Sequence, residues 1–217
     1  MSLWVKICAN TSLADAQYAV DAGADALGFV LAPSPRRVTA EQVATITPHL
    51  PASIEKFGVF VGAGLDEIAS AVRVAHLTGV QLHSESGREV TAQLRSQFGP
   101  RLRILRVIHF GADAKEQAAA LACDPNIDSV LVDSRTATAV GGTGITFDWT
   151  AASKTLFHDA EARKPLIAAG GLNPDNVAQA IDTLKPWGVD VASGVESSPG
   201  HKDRAKVVAF VANARAA

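Results

Sequence analysis

Two residues far apart in this chain have the chemistry to pass protons to and from a small molecule. Cys8 ends a short apolar run, Trp4-Val5-Lys6-Ile7-Cys8. An unperturbed thiol titrates near about pH 8.5, so modestly electropositive surroundings leave part of it ionised at neutral pH. A thiolate held against a C–H group is a workable base. The plainer reading is a small buried hydrophobe, which is how free cysteine often behaves. Asp133 ends a second apolar run, Leu131-Val132-Asp133. A carboxyl in apolar surroundings favours its protonated form and can serve as the acid. At a strand end it can equally be a loop acid or a helix cap. Working as a pair, base and acid each contribute roughly 100- to 10,000-fold in rate.

Other residues could hold an anionic substrate. Arg36 lies in the short, proline-stiffened stretch Ser34-Pro35-Arg36-Arg37-Val38, where a guanidinium suits two-pronged capture of a carboxylate. Its neighbour Arg37 reads as the bystander, although the sequence alone does not settle which of the two points inward. His83 closes Val80-Gln81-Leu82-His83 and could hydrogen-bond a hydroxyl or be satisfied within the core. Two glycine-rich turns, Ala168-Ala169-Gly170-Gly171-Leu172-Asn173-Pro174 and Ala192-Ser193-Gly194-Val195-Glu196, are a stronger signal. Glycine lets backbone N–H groups approach anionic oxygens, and a following helix start favours negative charge. Gly170, Gly171, Ser193 and Gly194 are therefore candidates for a phosphate cradle. The run Gly141-Gly142-Thr143-Gly144 suits a loop closing around Gly142 over a ligand.

Composition narrows the partners. The net charge is −2, with acids and bases interspersed and no Lys/Arg block, which disfavours nucleic acid and membrane surfaces. No apolar run reaches transmembrane length. No histidine pair has helical metal-ligand spacing and no Cys/His cluster occurs, so no metal is expected. The two cysteines, Cys8 and Cys123, do not make a disulfide scaffold. No basic segment precedes a long apolar one near Leu3–Cys8, so a signal peptide is not expected. These readings point to a cytoplasmic protein.

The elements that must position these residues alternate regularly. Short apolar runs predict strands at Trp4–Cys8, Ala26–Leu31, Glu55–Val61, Gly79–His83, Leu102–His109, Ser129–Val132, Leu166–Ala169 and Val189–Ala192, as in a parallel sheet buried on both faces. Between them, helical spacing predicts helices at Ser12–Ala22, Thr39–Leu50, Leu65–Ala75, Gly87–Phe98, Asp113–Ala122, Thr150–Ala160, Pro174–Leu184 and Asp203–Ala214. Such alternation fits a closed barrel or a doubly wound open sheet. No G-x-G-x-x-G follows the first strand, which weakens dinucleotide binding, and eight near-equal units favour a single (β/α)8 barrel spanning 1–217. In that barrel, catalytic residues project from the C-terminal strand ends. Cys8, Arg36, His83, Asp133 and both glycine turns then converge on one mouth.

The motifs taken in order resemble the phosphoribosylanthranilate isomerase family of tryptophan biosynthesis over nearly the whole chain. They are Lys6-Ile7-Cys8, Gly28-Phe29, Ser34-Pro35-Arg36, Gly58-Val59-Phe60-Val61, Gln81-Leu82-His83, Asp133-Ser134, Gly141-Gly142-Thr143-Gly144, Phe147-Asp148-Trp149, Gly170-Gly171-Leu172, Asp190-Val191 and Ser193-Gly194-Val195-Glu196. The resemblance implies an Amadori rearrangement of a phosphosugar, N-(5-phosphoribosyl)anthranilate, without a cofactor, by a monomer or homodimer. It assigns Cys8 as base, Asp133 as acid, Arg36 to the anthranilate carboxylate, and backbone N–H groups near Gly171 and Gly194 to the phosphate. Two alternatives are a related phosphosugar isomerase of histidine biosynthesis, which uses two aspartates, and a barrel that only binds a phosphorylated ligand. Cys8 argues against the first, and Cys8 with Asp133 against the second. Two positions depart from the family pattern: Ala9 and Ser84 stand where glycine is usual. Ala9 puts a methyl beside the base and restricts φ there.

Overall fold

The computed structural model describes residues 3–83, 87–134, 147–159 and 164–217. Eight parallel strands pair in sequence order, β1 with β2 through to β7 with β8, and β8 pairs back onto β1 to close the barrel. They are β1 Trp4–Ile7, β2 Ala26–Val30, β3 Glu55–Phe60, β4 Gly79–Leu82, β5 Arg103–His109, β6 Ser129–Asp133, β7 Leu166–Ala168 and β8 Gly188–Val191. Helices follow the strands: α1 Leu13–Asp21, α2 Ala40–Ala44, α3 Leu65–Val74, α4 Arg88–Phe98, α5 Ala114–Ala122, α6 Trp149–Ala152, α7 Val177–Leu184 and α8 Arg204–Ala216. Among the described residues no helix is long and apolar enough to cross a membrane.

The core divides into two layers, as strand alternation requires. One set of strand residues faces the helices in a large apolar cluster that includes Val5, Ile7, Leu27, Phe29 and Val80. The alternate set fills the barrel itself: Trp4, Ala26, Phe57, Leu105, Val107, Leu131 and Ile167. At the N-terminal end Trp4 stacks on Trp187 and meets Phe57 edge-on, so the floor is apolar.

Four differences from the expected elements have physical causes. The second helix stops at Ala44 and gives way to a 3-10 turn at Thr47–His49. Pro48 supplies no N–H and its ring crowds the carbonyl four residues back, at Ala44. The sixth helix is one α turn capped by Asp148, running on as a π-helical stretch, Ser153–Phe157, in which the Thr155 hydroxyl donates to the Ala151 carbonyl. The seventh helix begins at Val177, not Pro174. Asn173 Oδ1 accepts from the N–H groups of Asp175 and Asn176, and this local turn displaces the first helical turn. Finally, an antiparallel hairpin, β9 Glu196–Ser198 and β10 His201–Lys202, was not expected. It lies between β8 and α8 and turns at Gly200, where φ is +85°.

Candidate active site

Strand alternation sends Lys6 of β1 and Cys8 just beyond it, Gln81 of β4 and His83 just beyond it, Leu131 and Asp133 of β6, and Asp190 of β8 toward the barrel axis. The hydrogen bonds agree. Lys6 Nζ donates to Asp190 Oδ1 at 2.6 Å and across the barrel to Gln81 Oε1 at 2.8 Å, although Lys6 is 0% exposed. An apolar floor thus supports a charged and amide middle layer. The cavity above it, about 900 Å³ including its open side, is lined by Cys8, Arg36, His83, Asp133, Gly170, Gly171 and Ser193 among others. Both proton-transfer candidates therefore face one space.

Cys8 sits one residue beyond β1, its N–H donating to the Val191 carbonyl. Asn10 ties down the turn: its Nδ2 donates to the carbonyls of Ile7 and Gly28. Between them Ala9 adopts φ of +64°, left-handed backbone that costs an L-residue about 1–2 kcal/mol. Gly28 makes room on the neighbouring strand. A Cβ there would stand 2.6 Å from Cys8 Sγ and 3.1 Å from Lys6 Nζ. Burial pushes the Cys8 thiol up, with Asp190 adding to it, while Lys6 and Lys202 pull it down. The ionisation that electropositive neighbours favour is thus opposed by burial. Burial also works to strip Lys6 of its proton, but the Asp190 carboxylate and Cys8 outweigh it and hold the ammonium above the usual lysine range.

Asp133 is the last residue of β6, one position beyond the expected strand end, and pairs with His109 of β5. It is buried at the cavity wall. His83 is buried just past β4, its ring 6.1 Å from that of His109.

Arg36, not Arg37, turns inward. Arg37 is exposed, whereas Arg36 lines the cavity and is gripped by Glu196 of the hairpin. Its Nε donates to Oε1 at 2.8 Å and to Oε2 at 3.0 Å, and Nη2 donates to Oε2 at 2.7 Å. Lys202 Nζ also donates to Glu196 Oε1, at 3.3 Å. Burial opposes the Glu196 charge, but Arg36, Lys202 and the Gly200 N–H hold its carboxyl below the usual glutamate range.

The two glycine turns pack against each other at the other side of the mouth. Gly170 and Gly171 have φ of +82° and +68°, which only glycine adopts freely. A Cβ on Gly170 would collide with Ser134, and one on Gly194 with the Leu172 carbonyl. Gly170, Gly171 and Ser193 are on the cavity wall; Gly194 lies behind it. Gly142 and Ser84 lie outside the described residues. Among the described residues no cluster of three or more His, Cys, Asp or Glu is placed to hold a metal.

A match to the family model for N-(5'phosphoribosyl)anthranilate (PRA) isomerase runs over residues 5–213. The chain belongs to the phosphoribosylanthranilate isomerase family. Its N-(5'-phosphoribosyl)anthranilate isomerase relative from Magnetococcus marinus is 45% identical over 100% of this chain and 97% of that one. The solved phosphoribosyl anthranilate isomerase from Thermotoga maritima is 33% identical with a TM-score of 0.87, covering 99% of this chain and 100% of that one. Another solved phosphoribosyl anthranilate isomerase, in complex with reduced 1-(o-carboxyphenylamino)-1-deoxyribulose 5-phosphate, is 32% identical with a TM-score of 0.84 over 99% and 100% of the two chains.

Within this phosphoribosylanthranilate isomerase fold, sequence reasoning gave no role to Lys6, Gln81, Asp190, Glu196 or Lys202. Lys6 carried a usable signal: it stands two residues before Cys8 on one strand, hence on the same face. Glu196 and Lys202 carried no periodicity signal, because the hairpin that brings them to the mouth has no apolar alternation; Glu196 entered only as the end of the motif Ser193-Gly194-Val195-Glu196.

Proposed function

We propose that the chain catalyses the Amadori rearrangement of N-(5-phosphoribosyl)anthranilate to 1-(2-carboxyphenylamino)-1-deoxyribulose 5-phosphate in tryptophan biosynthesis, with Asp133 as acid and Cys8 as base. The observation that carries the reading is their shared cavity, with an arginine on one wall and paired glycine turns on another. Asp133 protonates the ribose ring oxygen. The C1–O bond breaks as the anilino nitrogen supplies the electron pair for C1=N. Cys8 then takes the C2 proton. That C–H pair becomes C1=C2, and the C1=N pair returns to nitrogen. The enolamine gains a proton at C1 and gives one up from the C2 hydroxyl, forming the ketone. Hydrogen moves from C2 to C1 within one molecule, so the step needs no outside oxidant or reductant.

Arg36 holds the anthranilate carboxylate. Glu196 occupies its Nε–Nη2 edge, so the substrate docks on the Nη1–Nη2 edge. Backbone N–H groups near Gly170, Gly171, Ser193 and Gly194 hold the phosphate, and His83 meets a sugar hydroxyl. The chain acts in the cytoplasm as a monomer or homodimer, without metal or cofactor.

Turnover is read from the decay of anthranilate-linked fluorescence on adding protein. The wild-type chain consumes the substrate, and Cys8→Ser and Asp133→Asn each lower kcat by about 100-fold or more. Equal rates in either variant overturn the acid–base assignment; no turnover by wild type overturns the reaction.

A further inference from the structure

The mechanism above uses the sulfur of Cys8 but leaves unexplained the fully buried lysine beneath it. An isolated ammonium in an apolar barrel is costly, and a lysine so placed deprotonates unless something holds its charge. Asp190 does so: Lys6 and Asp190 are register partners on adjacent strands, and their side chains meet at 2.6 Å. Gln81 takes a second N–H. The third faces the side of the barrel where Cys8 stands, two residues on and on the same strand face. Sγ and Nζ also flank one point, lying 2.6 and 3.1 Å from where a Cβ on Gly28 would stand, so the two are close neighbours.

We propose that Lys6 is a positioning residue for the base, its ammonium fixed between Asp190 and Gln81 so that it balances the negative charge on Cys8 when the thiol gives up its proton. The inference rests on Cys8 being the base. It adds the device that lets a buried thiol act as one. Other charges face Cys8 from several elements. Asp190 of β8, Lys202 of β10 and Arg36 of the loop after β2 all bear on it, and His83 and Asp133 line the same cavity. Lys202 and Arg36 are both committed to Glu196, and among the cations Lys6 weighs most on the sulfur.

The test follows Cys8 alkylation by iodoacetamide against pH, in a Cys123→Ser background that removes the exposed second thiol. Lys6→Met moves the alkylation midpoint to higher pH and slows the reaction at neutral pH by about tenfold or more, one pKa unit being tenfold in thiolate. The acid limb of the kcat profile moves the same way, with KM changed by less than about threefold. Because Lys6→Met strands a buried carboxylate, Lys6→Met with Asp190→Asn is measured beside it. It gives a smaller shift in the same direction. A midpoint and an acid limb at wild-type values in the variant that folds overturn the proposal, since a lysine that merely packs moves stability alone. Failure of the reaction assignment looks different: wild type does not consume the anthranilate substrate, while Lys6→Met still moves the alkylation midpoint.

Discussion

The lower and upper halves of the barrel interior come from the same eight strands and use opposite chemistry. Below, Trp4, Phe57, Leu105 and Ile167 interlock as an ordinary apolar core. Above, the inward positions of those strands carry Lys6, Cys8, Gln81, His83, Asp133 and Asp190. Substitutions below should cost stability, and substitutions above should cost turnover. The ion pairs repeat the contrast on a smaller scale. Lys6–Asp190 is built into strands and buried, whereas Arg36–Glu196 joins a loop to a hairpin at the rim.

The sharpest attempt to break this division is Cys8→Ala. It should lower kcat by about 100-fold or more while shifting the thermal midpoint little, read by steady-state kinetics beside a melting curve. Loss of folding without prior loss of turnover would erase the distinction. Phe57→Ala is the counterpart below. Removing a core phenylalanine costs about 3–5 kcal/mol, and denaturant unfolding should find that loss with kcat of the folded fraction close to wild type. Arg36→Lys keeps a cation but loses the fork. KM should rise by roughly tenfold, about 1.4 kcal/mol, with a smaller change in kcat. Glu196 sharpens the rim side through pH. Its folded carboxyl lies below the ordinary range, so its stabilising share is present above the unfolded glutamate value and is lost as pH falls through the folded one. Glu196→Gln should flatten that acid-side fall in melting temperature. Ala9→Gly is the smallest effect: relieving a left-handed alanine should add about 1 kcal/mol to unfolding stability, less the extra entropy glycine carries when unfolded.

The eight strands were legible because parallel barrel strands are buried on both faces and read as short apolar runs. Asp133 and Cys8 were legible because they interrupt those runs at their ends. Lys6 and Asp190 were not, although both lie inside the same runs. Their partnership spans 184 positions of chain, and no local pattern marks a pairing that exists only once the barrel closes β8 onto β1. Arg36 was named over Arg37 from the sequence, but the partner that holds it, Glu196, sits in a hairpin the periodicity did not reveal. The helix starts and stops that were missed, at Pro48 and Asn173, came from single-residue turn chemistry overriding helical spacing.

The packed floor has a consequence for traffic. Among the described residues, a vessel stoppered by Trp4 and Phe57 at one end opens at the other, so the spent ligand backs out along the route by which its successor arrives. Occupancy is one molecule at a time. Accumulated ketone therefore competes directly with fresh glycosylamine, and inhibition by it should be overcome by raising the concentration of the latter.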